Sequence, residues 1–210
     1  MEIRYNYLVI EGNIGAGKTT LASKIANDFN ARLILERFAE NAFLPKFYNN
    51  PEKYSFQVEL SFLATRYKQF KEEFASFKPF IVADYYFTKS LVFAASTLNG
   101  DEFELYRQIF YIIYDSLPKP DLYVYLHLEP EKLLENIKKR GRNYEMNITE
   151  GYLRTIQDNY FNFFKQNTDF KYLVIDINKI DFIGYEIDYE NIIDVIFNKN
   201  YQTGVNKVIL

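Results

Sequence analysis

The stretch Tyr7–Thr20, Y-L-V-I-E-G-N-I-G-A-G-K-T-T, limits the fold more than any other part of the chain. A short run of strand formers ends at Glu11. Gly12, four further residues, Gly17, Lys18 and Thr19 then complete the phosphate-loop pattern G-x-x-x-x-G-K-[ST]. Glycines in such a loop let backbone N–H groups close on phosphate oxygens. The helix that follows turns its partly positive N-terminus toward the same anion. Leu21, Ala22, Ile25, Ala26 and Phe29 recur at helical spacing, so strand, loop and helix come in the order the motif requires. The candidate phosphate-binding residues are therefore Gly12, Asn13, Ile14, Gly15, Ala16, Gly17, Lys18, Thr19 and Thr20. Lys18 is expected to reach the β- and γ-phosphates of ATP, and the Thr19 hydroxyl to ligate Mg²⁺.

The rest of the chain repeats the alternation. Strands are predicted at Tyr7–Glu11, Leu33–Glu36, Phe80–Ala83, Leu122–Leu128 and Tyr172–Ile177. Helical periods lie between them. Pro51 opens a long helix with Phe56, Leu60, Leu63, Tyr67, Phe70 and Phe74 in one apolar stripe. Residues 37 to 50 read as a loop with one helical turn. Asn147-x-x-Glu150 has the form of a capping box opening a later helix. This order gives an α/β phosphate-loop fold, a five-stranded parallel sheet with helices on both faces. Residues 1 to 198 are expected to form one such domain, with a lid at about 138 to 146, and 199 to 210 a tail.

Composition removes several function classes. There is no Cys and one His, His127, which excludes disulfides, thiol nucleophiles and histidine metal clusters. A net charge of −3 argues against a nucleic-acid partner. No apolar run is long enough for a membrane span, and a cytoplasmic protein is expected.

Ligands of such sheets bind beyond the carboxyl ends of the strands, where Glu11, Glu36 and Asp84 fall. Asp84 stands at the position of a Mg²⁺-holding carboxylate. Glu36 is a candidate for orienting an acceptor hydroxyl and taking its proton. Lys138-Lys139-Arg140-Gly141-Arg142 reads either as a favourable helix C-terminus or as a lid whose arginines clamp the transferring phosphoryl group.

Taken together, G-N-I-G-A-G-K-T-T, Glu36, F-Y-N-N-P with Tyr48, the F-Q pair at Gln57 and R-G-R-N-Y-E at Arg140–Glu145 resemble the deoxynucleoside kinase family, from Tyr7 to about Phe197. The resemblance implies transfer of the γ-phosphoryl of ATP, with Mg²⁺, to the 5′-hydroxyl of a deoxyribonucleoside. It implies Lys18, Glu36, Asp84 and Arg140 as catalytic residues, and Arg140 and Arg142 on the ATP phosphates. It further implies Tyr48 and Glu145 on the sugar 3′-hydroxyl, Gln57 on the base edge, and Asp181 and Phe182 beside the donor base. Gln57 lies about 100° around its helix from the apolar stripe and is expected to face a cleft. A homodimer through the apolar helices 87–98 and 102–117 is implied as well.

The chain departs from the family pattern in three places. Tyr85 follows Asp84 where the family has an Arg; Lys89 is the first candidate to replace that cation and Arg66 the second. Asn136 stands where an extra Arg often occurs. Ser90 stands where the family often places an acid that reads a base amine, which favours purines. Two other functions fit parts of the sequence. One is a nucleoside monophosphate kinase of the thymidylate kinase kind, with Arg37, Lys46 or Arg66 on the acceptor phosphate. The other is a GTP-binding switch, from N-K-I-D at Asn178–Asp181 and the overlapping D-F-I-G.

Overall fold

Among the described residues six strands, one more than the sequence pattern predicts, form a single parallel sheet. The computed structural model describes residues 3–38, 41–74 and 80–210. In chain order the elements are β1 (Tyr7–Gly12), α1 (Lys18–Asp28), β2 (Arg32–Ile34), α2 (Leu44–Asn49), α3 (Pro51–Glu73), β3 (Ile81–Ala83), α4 (Lys89–Thr97) and α5 (Gly100–Tyr114). Then come β4 (Leu122–His127), α6 (Pro130–Arg140), a short 3₁₀ turn (Asn143–Glu145), α7 (Glu150–Gln166), β5 (Lys171–Asp176), α8 (Glu186–Asn198) and β6 (Gly204–Ile209). The strand order is β2-β3-β1-β4-β5-β6, and every neighbouring pair is parallel.

The sixth strand comes from the segment expected as a tail. Its six residues pair with β5 from Lys171↔Gly204 to Asp176↔Ile209. Alternate residues along it are exposed, as befits an edge strand.

Side-chain alternation divides the core between the two faces of the sheet. On β4, Leu122, Val124 and Leu126 join an aliphatic layer under α1, α6 and α8. Tyr123 and Tyr125 face the other way, into an aromatic layer with Phe87, Phe110, Tyr160 and Phe164 from the α4, α5 and α7 side. The apolar stripe of α3 packs there too, through Leu63 and Phe70 with Phe56, Leu60, Tyr67 and Phe74 at the margin. Pro51 sits in the first turn of α3 and the Asn50 side chain accepts from Lys53 N, so the start is fixed locally. At α7 the cap is Thr149, whose hydroxyl accepts from Tyr152 N at 3.2 Å, rather than the Asn147 of the expected capping box. His127 ends β4 with its ring beside Phe161, a structural position. No helix of the described residues is long and apolar enough to cross a membrane.

Candidate active site

The loop between β1 and α1 is held open by contacts from outside it. Asn13 Nδ2 donates to Leu153 O at 2.7 Å, and Asn136 Nδ2 donates to Gly15 O at 2.9 Å. Asn136 thus supports the loop at a position where an arginine was one expectation. Gly17 has φ +84°, and a Cβ there would lie 2.8 Å from Phe182 Cζ. Only glycine fits that backbone against that ring.

Lys18 Nζ donates to Asn13 O at 2.8 Å. Burial, and then the Lys89 charge, bring its pKa down to about 8. Thr19 Oγ1 donates to Asp84 Oδ2 at 2.5 Å, and Asp84 Oδ1 accepts from Glu36 N at 2.8 Å. A hydroxyl and a carboxylate in contact are the hard oxygen donors that suit Mg²⁺, which is usually held by one or two carboxylates plus substrate phosphates. Among the described residues no group of three or more His, Cys, Asp or Glu side chains is placed to form an all-protein cage.

Glu36 lies two residues past β2, beside this pair, and two cations hold it. Its Oε1 accepts from Arg66 Nε at 2.9 Å and Nη2 at 2.6 Å, and its Oε2 accepts from Lys89 Nζ at 2.6 Å. Burial alone would raise the Glu36 pKa, but Lys89 and Arg66 more than offset it and bring it to about 2. Both cations are thus paired with this one carboxylate, and the Asp84 carboxylate stands beside them on the Glu36 backbone N–H. Both candidates for the missing arginine therefore lie at the site. Lys89 is buried, and Arg66, the second candidate, is held as closely as the first.

Two depressions meet at these residues. An inner cavity is lined by Tyr48, Glu59, Arg66, Lys89, Glu145 and Tyr152 among others. An outer groove runs over Gly15, Gly17, Thr20, Asn136 and Ile183. Lys18, Thr19, Glu36, Asp84, Arg140 and Arg142 belong to both. Glu145 Oε2 accepts from Arg140 Nη2 at 2.6 Å, and its Oε1 accepts from Arg142 Nη1 at 3.2 Å. Gly141 between the two arginines ends α6 at φ +69°, which aims them back at this carboxylate. The Tyr48 ring stacks on Tyr144, from the same short turn, at 6.1 Å.

Several expected site residues lie elsewhere. Gln57 is exposed and lines neither depression. It lies about 100° to one side of the α3 stripe, while Ser55, Glu59, Phe62 and Arg66 lie about 60–120° to the other, and the cleft is on their side. Ser90 is fully buried behind Arg66, accepting from its Nη1 at 2.7 Å. Asp181 is exposed and closes its own turn, accepting from Ile183 N and Gly184 N, while Phe182 packs under Gly17. Glu11 lies beneath the loop rather than on it, accepting from Tyr86 N and from the Tyr160 hydroxyl, both at 3.0 Å. The functional candidate that sequence reading missed is Glu59. Its available signal was the seven-residue spacing to Arg66, which puts both charges on one helical face.

The deoxynucleoside kinase family model matches residues 8–201. The chain belongs to the deoxynucleoside kinase family. It is 37% identical over 194 residues to a deoxyguanosine kinase of Bacillus subtilis, across 89% of this chain and 93% of that one. It is 31% identical to a deoxyadenosine kinase of Dictyostelium discoideum, across 86% of this chain and 75% of that one. Among solved structures it resembles a deoxyadenosine kinase from M. mycoides with bound dATP, with a TM-score of 0.79 and 26% identity over 92% of this chain and 100% of that one. The protein is an ATP-dependent deoxynucleoside kinase on a phosphate-loop kinase fold. The monophosphate-kinase and GTP-switch alternatives give way to this function.

Proposed function

We propose that this kinase transfers the γ-phosphoryl of ATP to the 5′-hydroxyl of a purine deoxyribonucleoside bound in the inner cavity, with the donor phosphates along the outer groove. The observation that carries the reading is the Glu36–Arg66–Lys89 cluster at the junction of the two depressions. An anion at this point can orient a hydroxyl, and the two cations paired with it can answer the negative charge of phosphoryl oxygens. With its pKa near 2, Glu36 is ionised at every working pH and accepts the hydroxyl's hydrogen bond. Its basicity rises as phosphate oxygens draw Arg66 and Lys89 away from it. A loose transition state asks for that proton late, so orientation carries much of the effect.

Thr19 and Asp84 would hold Mg²⁺, which would supply positive charge against the phosphate oxygens. Lys18, Arg140 and Arg142 complete the phosphate contacts, with the two arginines leaving Glu145 in part as the lid closes. Tyr48 and Glu145, at the wall of the inner cavity, hold the sugar 3′-hydroxyl. Purine preference agrees with the named activities of the relatives above. The exposed Leu105 and Ile112 on α5 support a homodimer through that helix, and nucleotide salvage suits a cytoplasmic enzyme.

The deciding experiment is steady-state kinetics of Glu36→Gln with ATP and a panel of deoxynucleosides. We expect kcat to fall by ~10²–10⁴-fold with a much smaller change in nucleoside KM. If Asp84→Asn removes activity while Glu36→Gln barely matters, the proton acceptor is Asp84.

A further inference from the structure

The inner cavity contains a buried acid with one oxygen unmatched. Glu59, on α3, is 3% exposed and lines the cavity. Its Oε1 accepts from Thr97 Oγ1 at 3.1 Å, while its Oε2 is buried without a protein donor among the described residues. A buried oxygen without a protein donor costs stability, so a ligand donor is its natural partner. The same helical face presents Arg66 seven residues on, a buried cation whose Nη1 is bonded to Ser90. Gln57, the amide expected on the base edge, is exposed instead.

We propose that Glu59 reads the base of the acceptor nucleoside and selects an edge with two adjacent hydrogen-bond donors, the N1–H and N2–H₂ of a guanine-type base. The proposal rests on the reading of the inner cavity as the nucleoside site. An ionised carboxylate only accepts, and its two oxygens match two neighbouring donors. With the carboxylate on N1–H and N2–H₂, the O6 acceptor of guanine is left for a donor, and Arg66 lines the same cavity. Adenine and cytosine place an exocyclic donor next to a ring-nitrogen acceptor. That acceptor meets the carboxylate lone pairs, and mismatch at a buried polar group is strongly selective.

The charge on Glu59 makes this selection sensitive to pH. Burial raises its carboxyl to about 7, against Arg66, the Thr97 hydrogen bond and Lys89, which favour the anion, while Glu36 adds to the rise. Tyr48, Tyr152 and Tyr106 also face it, the last donating to the Glu59 backbone carbonyl at 3.5 Å. A protonated carboxyl donates through one oxygen and accepts through the other, as an amide does, and so suits adenine. Guanine selection is therefore strongest above neutral pH and fades below it.

The test is kcat/KM for deoxyguanosine, deoxyinosine, deoxyadenosine and deoxycytidine from about pH 6 to about pH 8.5, in wild type and Glu59→Gln. At the alkaline end we expect deoxyguanosine to exceed deoxyadenosine by about tenfold or more, with deoxyinosine, which keeps only N1–H, between them. The wild-type ratio should fall toward the acid end. Glu59→Gln should lower deoxyguanosine use by about tenfold or more, move the ranking toward deoxyadenosine, and make it independent of pH. An unchanged ranking in the variant, or a flat wild-type ratio, overturns the proposal. The wild-type pH series decides even if the variant does not fold. If wild type phosphorylates no deoxynucleoside, the reading of the cavity fails first.

Discussion

A single carboxylate, Glu36, is held here by two cations from different helices, and each cation has a different second duty. Arg66 is also tied to Ser90, whereas Lys89 has its Nζ near the Phe93 ring at 5.4 Å and lies at the first turn of α4. Lys89 is therefore the cation freer to follow the transferring phosphoryl group. Lys89→Met should slow transfer by about tenfold or more, equivalent to about 1.4 kcal/mol of barrier. It should also lower thermal stability, because a buried charge-assisted hydrogen bond of this kind contributes ~1–3 kcal/mol. The sign of the pH effect follows from the same pair. Glu36 has its pKa depressed to about 2, so its contribution to stability is present above the unfolded carboxylate range and is lost as pH falls toward that value. Removing Lys89 raises the Glu36 pKa, so the acid loss of both activity and stability should begin at higher pH. Superimposable pH profiles and wild-type turnover would remove Lys89 from the mechanism and leave Arg66 as the working cation.

At the scale of elements, α7 does more than cover the sheet. Its Tyr160 hydroxyl bonds Glu11 under the phosphate loop, and its Leu153 carbonyl holds Asn13 within the loop. The start of this helix depends on the Thr149 side chain. Thr149→Ala should cost about 1 kcal/mol, the usual effect of losing such a cap. Because the loop is braced by the first turns of α7, KM for ATP should rise as well, while nucleoside KM moves less. A melting curve and two saturation series check this. A stability loss with both KM values unchanged would mean that α7 supports the fold without positioning the loop.

For the whole molecule, the sheet is closed on one side by β6, the last strand in the chain. It covers an edge of β5, whose residues Tyr172–Val174 are buried on both faces. Deleting 203–210 would leave a long apolar strand with unpaired N–H and C=O groups, a template for association between chains. We expect the truncated protein to melt at lower temperature and to aggregate at concentrations where the full chain does not. Light scattering during a thermal ramp measures both. A truncated chain that melts like the full one, without aggregation, would make β6 an accessory.

The sequence by itself determined the phosphate loop, the alternation of strands and helices, and the placement of Glu36 and Asp84 beyond strand ends. Each depends on residues close together in the chain, where spacing and turn chemistry act directly. Tertiary structure decided how α3 is rotated about its own axis. Its apolar stripe is flanked by polar residues on both sides, and local periodicity does not distinguish the flank of Gln57 from that of Glu59 and Arg66. That choice is made where α3 meets α4 and β2, through the pairing of Arg66 with Glu36, thirty residues apart, and the bond from Gln69 to Leu35 O. The sixth strand escaped for a related reason. Gly204–Ile209 alternates half-buried Gly204, Asn206 and Val208 with exposed Val205, Lys207 and Ile209, so polar and apolar residues fall on both faces, and such a segment becomes a strand only when a partner such as β5 offers its edge.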